Sequence, residues 1–304
     1  MLGSGLIRFV SVSFLALVLA LPSRADAQIP LESPLPVDPN VTIGELDNGV
    51  KYIIRQNSRP ENRAELRLVV DVGSVLEDDS QLGLAHFVEH MAFNGTEHFE
   101  KQELVDYLES IGMEFGPSIN AYTSFDETVY MLQVPMEDPE VVETAFQILE
   151  DWAHLVSFEP EEIDKERGVV IEEWRSRRGA AARIQDLQFP IMFTGSRYAE
   201  RLPIGTVENL QSFPHEVLTR FYDTWYRPDL MSVIAVGDFD PAQIEQLIQT
   251  HFDRLPTPAT PLERPYFDVP DHAETYYAIA ADPEASGSSV GVLSMRDPPE
   301  ITTV

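Results

Sequence analysis

Hydrophobic and polar positions alternate with period two in Ala64–Val72, AELRLVVDV, the pattern of a strand with one buried face. Val50–Gln56 reads as a second strand. Apolar residues then recur at helical spacing over Leu82–Phe93 and Lys101–Ile111. Ser118–Pro135 predicts a hairpin: INAYTS, a turn near Phe125-Asp126-Glu127, then TVYMLQV. Helices are expected at Asp138–Leu155, with Pro139 in its first turn, and at Pro160–Arg178. Glu161, Glu162 and Asp164 open the latter, where acidic side chains suit the helix dipole. Leu230–Val236, LMSVIAV, is an apolar strand closed by Gly237-Asp238, and Pro241–Phe252 is a helix. Helices and antiparallel strands are mixed rather than repeated as βα units, so the class is α+β, a sandwich of sheet and helices.

The ends read differently. Phe9–Leu21 is an apolar run behind Arg8, and Ala25-Asp26-Ala27 is an A-x-A cleavage site, so residues 1–27 are predicted to be a secretory signal cut before Gln28. The run is short for a span of about 20 residues, and no other segment is expected to cross a membrane. Export, to a bacterial periplasm, is the expectation. Residues 28–40 are Pro-rich and extended. Leu255–Pro265 holds four prolines and reads as a linker, after which Thr275–Ala281, TYYAIAA, is strand-like. The 40 or so residues after Pro265 are too few for a domain of their own, which predicts a truncated second domain over 261–304.

Composition narrows the chemistry. The 304 residues hold 21 Lys and Arg against 51 Asp and Glu, a net charge of −30 that repels phosphate backbones and predicts no nucleic-acid partner. The clustered cations Arg175, Arg177 and Arg178 are too few to offset it. Cysteine is absent, which excludes disulfide scaffolds, thiolate zinc sites and thiol nucleophiles. Any metal must be held by His and carboxylates.

His86-Phe87-Val88-Glu89-His90 supplies them. Residues i and i+4 share a helix face at about 100° per residue, so two imidazoles one turn apart can hold one zinc ion. Glu89 can approach that ion without ligating it and deprotonate a zinc-bound water, whose pKa is lowered to about 7. A catalytic zinc keeps three protein ligands and one open position. The best carboxylate candidates lie in Glu166–Glu173, ERGVVIEE. Glu166 and Glu173 are about two turns, roughly 10 Å, apart on one face, so only one of them can ligate.

Gly83–Thr96, GLAHFVEHMAFNGT, resembles the inverted zinc motif of the pitrilysin/insulinase peptidases, which include mitochondrial processing peptidase. Asn120–Thr123 (NAYT), Glu166–Glu173 and Trp225–Phe239 (WYRPDLMSVIAVGDF) resemble that family's later landmarks, in order, over about residues 40–255. The resemblance implies a mixed or antiparallel sheet with helices on one face. It implies His86, His90 and Glu173 as ligands of one zinc, Glu89 as general base, and Glu166 as support for the site. It also implies that Asn120, Ala121, Tyr122 and Thr123 form an edge to which a substrate peptide adds as a strand. The zinc domain would span 28–260, and a second homologous domain or partner chain would close over it. The function implied is a zinc metalloendopeptidase acting on peptides or small unfolded proteins. The alternative is a non-catalytic peptide-binding subunit, or a fragment that needs a second domain.

Overall fold

The computed structural model describes residues 35–113, 116 and 118–296. The expected signal segment and the first residues of the Pro-rich stretch lie outside them.

Among the described residues six strands form one sheet: β1 Val41–Glu45, β2 Lys51–Gln56, β3 Arg63–Val70, β4 Ile119–Thr123, β5 Thr128–Pro135 and β6 Met231–Gly237. Their order is β1-β2-β6-β3-β5-β4. Every pairing is antiparallel except β2 with β6. Register explains the alternation in the sequence. Tyr52 and Ile54 of β2 stand opposite Val233 and Ala235 of β6. Those stand opposite Leu68 and Leu66 of β3, which oppose Tyr130 and Leu132 of β5. All eight are buried and form one face of the sheet. Glu65, Arg67, Ser232 and Ile234 lie between them on the other, partly exposed face.

Among the described residues eight helices accompany the sheet: α1 Leu84–Met91, α2 Lys101–Ser110, α3 Pro139–His154, α4 Pro160–Ser176, α5 Ala180–Met192, α6 Val207–Ser212, α7 His215–Trp225 and α8 Pro241–Phe252. The architecture is the expected α+β one. α3 packs on β3 and β5, α8 on β2, and α1 on β4 and β5. Trp152 of α3 is fully buried, stacks on Tyr130 with ring centroids 5.1 Å apart, and donates its indole N–H to Ala92 O at the end of α1 (2.9 Å). Caps mark the helix starts: Asp138 and Asp240 each accept the N–H two residues on, with proline following each.

Most expected elements fall within two residues of their predicted bounds. Thr275–Ala281 does not form a strand. Tyr276, Tyr277 and Ile279 are exposed, and no strand lies beside them among the described residues, so no ladder satisfies their backbone. β1, α5, α6 and α7 had no counterpart in the sequence pattern. No described helix is long and apolar enough to cross a membrane.

The loop after α1 is tied to α3 by Asp151, whose buried carboxylate accepts from Thr96 Oγ1 (2.5 Å) and from His98 Nδ1 (2.8 Å). That hydrogen bond raises the His98 pKa, against a smaller loss from burial. A raised imidazole stabilises the fold fully below its unfolded value of about 6.5, and this is lost as pH climbs through the folded value. His98→Ala is therefore expected to lower the melting temperature more at about pH 5.5 than at about pH 9. The effect should stay under about 1 kcal/mol, because the ring is half solvated. Equal losses at both pH values would remove the ion pair from the account.

Candidate metal centre

α1 is eight residues long, and all but His90 are buried. It starts from Gly83, whose φ of +91° places it in the left-handed region open to glycine. Gly83 meets a second left-handed glycine, Gly205 (φ +67°), backbone to backbone. A Cβ on Gly205 would stand 2.4 Å from Gly83 Cα. Asn209 Nδ2 donates to Leu82 O (2.8 Å) beside this contact. Farther along, the Phe87 ring meets Phe213 edge to face at 5.0 Å. The helix is therefore gripped from its first residue, and its polar side chains face inward.

His86 and His90 turn their Nε2 atoms towards each other, 3.3 Å apart. Glu173 of α4 brings Oε2 to 3.2 Å from His90 Nε2 and 3.7 Å from His86 Nε2. Four ligands at 2.0–2.1 Å in tetrahedral array stand about 3.3 Å from one another, so this nitrogen–nitrogen–oxygen triangle has the size and donor set of a zinc site. Among the described residues it is the one such group of His and carboxylates. Arg177, one turn beyond Glu173, pairs with its other oxygen.

Glu166, two turns earlier on α4, does not reach that triangle. Its Oε1 accepts from His90 Nδ1 (2.7 Å), and its Oε2 accepts from Asn94 Nδ2 (2.9 Å). An ionised carboxylate can only accept, so Nδ1 carries a proton towards Glu166, and Nε2 is the nitrogen whose lone pair a metal would take. Asn94 Nδ2 also donates to His90 O (3.0 Å). The electrostatics follow from this crowding. Burial depresses the His90 pKa, but the hydrogen bonds to Glu166 and Glu173 outweigh it and lift it to about 9. Burial and the neighbouring His90 charge push His86 down. The His90 hydrogen bond holds Glu173 well below the usual carboxylate range.

Glu89, between the two imidazoles in sequence, is 9% exposed. Burial raises its pKa, which a hydrogen bond from Thr123 partly offsets. Thr123 Oγ1 donates to Glu89 Oε2 at 2.6 Å. This contact follows from strand register. Ala121 and Thr123 stand opposite Tyr130 and Thr128, on the helix-covered face, while Asn120 and Tyr122 are exposed. Tyr122 donates to Glu127 (2.7 Å), and Asn120 Oδ1 accepts the Ala121 N–H (3.0 Å). β4 closes one end of the sheet order, so it has a strand on one side only among the described residues. A buried basic carboxylate beside a zinc-sized triad, next to a free strand edge, can take a proton from a water and hold an extended peptide. Sequence reading did not single out Asn94, Arg177 or the Thr123 hydroxyl as partners of the site. Asn94 lies i+4 from His90 and Arg177 i+4 from Glu173, which is the available sequence signal.

Two family models match the chain: "Insulinase (Peptidase family M16)" over residues 52–189 and "Peptidase M16 inactive domain" over residues 212–293. The chain belongs to the insulinase family of peptidases, family M16. The first match contains the His86–His90 motif and Glu173. The chain is 44% identical over 262 residues to a zinc protease PQQL-like protein of Arabidopsis thaliana, covering 86% of this chain and 27% of that protein. It is 41% identical to the probable zinc protease PqqL of Haemophilus influenzae, covering 78% of this chain and 26% of that one. The crystal structure of the first half of the periplasmic protease PqqL of Escherichia coli superposes with a TM-score of 0.74 at 36% identity. That match covers 80% of this chain and 51% of that one. The chain thus spans about a quarter of the length of the two relatives named first.

The glycine contact at the start of α1 is testable. Gly205→Ala would put a methyl group into Gly83 and strain a left-handed backbone. It is expected to destabilise the protein by about 2 kcal/mol or more, read by chemical denaturation. A loss below about 0.5 kcal/mol would show that the two backbones part at little cost.

Proposed function

We propose that this chain is the zinc-binding domain of an exported metalloendopeptidase that hydrolyses peptides or small unfolded proteins. The observation that carries the reading is the triangle of His86, His90 and Glu173 atoms with the Glu89 carboxylate beside it. One zinc per chain would be held by those three residues, with Glu166 behind His90. Zinc, when bound, polarises the scissile carbonyl and makes water acidic enough to ionise near neutral pH. Glu89 takes the proton of the attacking water and returns it to the leaving amine; burial makes it the stronger base for this. Thr123 holds the carboxylate in place. Glu166 fixes the His90 tautomer through Nδ1. The substrate backbone lies along β4, at Asn120, Ala121, Tyr122 and Thr123, and pairs with its free edge, so affinity comes largely from main-chain hydrogen bonds.

We place the zinc domain over 28–260 and, over 261–304, a linker and the start of a second homologous domain that completes the site, a reading that the short share of the relatives' length fits. It also favours the second reading, in which these 304 residues bind zinc and peptide but cut only with that domain or a partner chain. The E. coli relative is a periplasmic protease, which supports a signal over 1–27 and export to the periplasm.

Elemental analysis is expected to find close to one zinc per chain in the wild type and almost none in a His86→Ala, His90→Ala double variant. Undiminished zinc in the double variant would sink the site. Glu173→Gln should lose zinc, whereas Glu166→Gln should keep most of it; the reverse outcome would exchange their roles. In a separate measurement on whichever form cleaves a fluorogenic peptide, Glu89→Gln should retain zinc and peptide binding while turnover falls about 10²- to 10⁴-fold. Wild-type turnover in that variant would remove Glu89 from the mechanism.

A further inference from the structure

We propose that Glu77 is a positioning residue for the metal helix: its buried carboxylate, delivered from the turn before α1, fixes the first turn and with it the place of His86. The inference rests on the metal reading above. The first turn of a helix has N–H groups with no partner inside the helix. In α1 the N-cap is Gly83, which has no side chain, and no acidic residue sits in the first turn. Glu77, six residues before Gly83, fills the role. Its Oε2 accepts the Gly83 N–H at 3.0 Å and its Oε1 the Ala85 N–H at 2.8 Å. The carboxylate is wholly buried. Burial pushes its pKa up, and the backbone donors of α1 and the nearby Arg201 guanidinium pull it back. Both oxygens face donors, which is the arrangement of an acceptor-only carboxylate.

Glu77 is itself held rigidly. Its carbonyl accepts from Arg201 Nε (2.9 Å) and from Arg197, while Ser74 Oγ donates to Arg201 O (2.6 Å). Arg201 is nearly as buried as Glu77. The cap therefore belongs to a fixed frame that includes the 201–205 segment pressed on Gly83.

The weight of this frame comes from an asymmetry between the two imidazoles. His90 is oriented from behind by Glu166. His86 Nδ1 is buried with no hydrogen-bond partner among the described residues. Nothing polar on its far side turns the ring, so its Nε2 goes where its backbone and packing put it. Of the two residues whose N–H groups Glu77 anchors, Ala85 is the immediate neighbour of His86.

The test compares zinc dissociation constants, from chelator competition, and the visible spectrum of the Co²⁺-substituted protein. It uses the full chain as wild type, Glu77→Gln, and the remote core variant Ile248→Ala of α8. The amide keeps the size of Glu77 but offers one acceptor oxygen in place of two. Glu77→Gln is expected to weaken zinc about 10- to 100-fold and to alter the Co²⁺ spectrum. Ile248→Ala should lower the melting temperature and leave both readouts at wild type. Wild-type zinc affinity and spectrum in Glu77→Gln would overturn the inference, as would an equal loss in Ile248→Ala, which would trace the effect to general destabilisation. If Glu77→Gln does not fold, Glu77→Asp carries the test: it keeps the charge, withdraws it by one methylene, and should bind zinc more weakly than wild type, unchanged affinity counting against. If neither folds, hydrogen exchange on the wild type decides. The Gly83 and Ala85 amides should exchange slowly, and exchange as fast as in the exposed Asp78–Ser80 turn would overturn the cap. A wild type that binds no zinc would sink the metal reading and this inference together; unchanged Glu77→Gln in a zinc-binding wild type would sink this one alone.

Discussion

A short helix buried on almost every side needs partners for its polar groups, and much of this structure follows from that demand; in α1, His86 Nδ1 goes without one among the described residues. α1 buries seven of its eight residues, two of them ionisable. Each buried polar group left unmet costs about 1–3 kcal/mol. A handful of them would consume the net stability of a domain, about 5–15 kcal/mol. The partners come from everywhere: Glu77 from the preceding turn, Thr123 from β4, Glu166 and Glu173 from α4, and the Trp152 indole from α3. The His86, Glu89 and His90 side chains and the groups that anchor their helix therefore belong to one set of contacts.

Sheet order decides which strand edge lies beside that network. β6, more than 150 residues after β3 in the chain, inserts between β2 and β3, while β4 pairs only with β5 among the described residues and so ends the sheet. The same pleat that turns Thr123 in towards Glu89 turns Asn120 and Tyr122 out. One strand thus offers the Thr123 hydroxyl on one face, exposed side chains on the other, and between them a backbone edge with no strand beside it among the described residues. β4 is joined to its neighbour by the Phe125–Asp126 turn, which is pinned by Tyr198 and Arg264. The segment after α8 therefore touches the same hairpin that carries the site.

Much of this was legible in the residues. Period-two alternation located β3, which presents one face to the core along its whole length, and an apolar run closed by Gly237-Asp238 located β6. The HxxEH spacing located both imidazoles and Glu89, because four residues are about one helical turn. Local pattern failed where its cause was not local. β1 is a mostly exposed edge strand with no clean alternation, and α5 buries no residue at all, so neither carries a strong apolar stripe. Thr275–Ala281 looks like a strand by composition and is not one, because a strand exists only where another chain segment pairs with it.

The sequence by itself determined the α+β class, the metal-binding chemistry and the pair of glutamates from which a third donor would come. Spacing within one helix decides which side chains share a face, and that information is complete in the residues. The tertiary structure decided which glutamate faces the imidazoles. Glu166 and Glu173 lie on the same face of α4, and the crossing of α4 over α1 sets Glu173 Oε2 within 3.7 Å of both Nε2 atoms while Glu166 meets His90 from behind. The roles of Glu77 and the Thr123 hydroxyl were also decided there, since contacts between separate elements depend on packing that no single segment encodes.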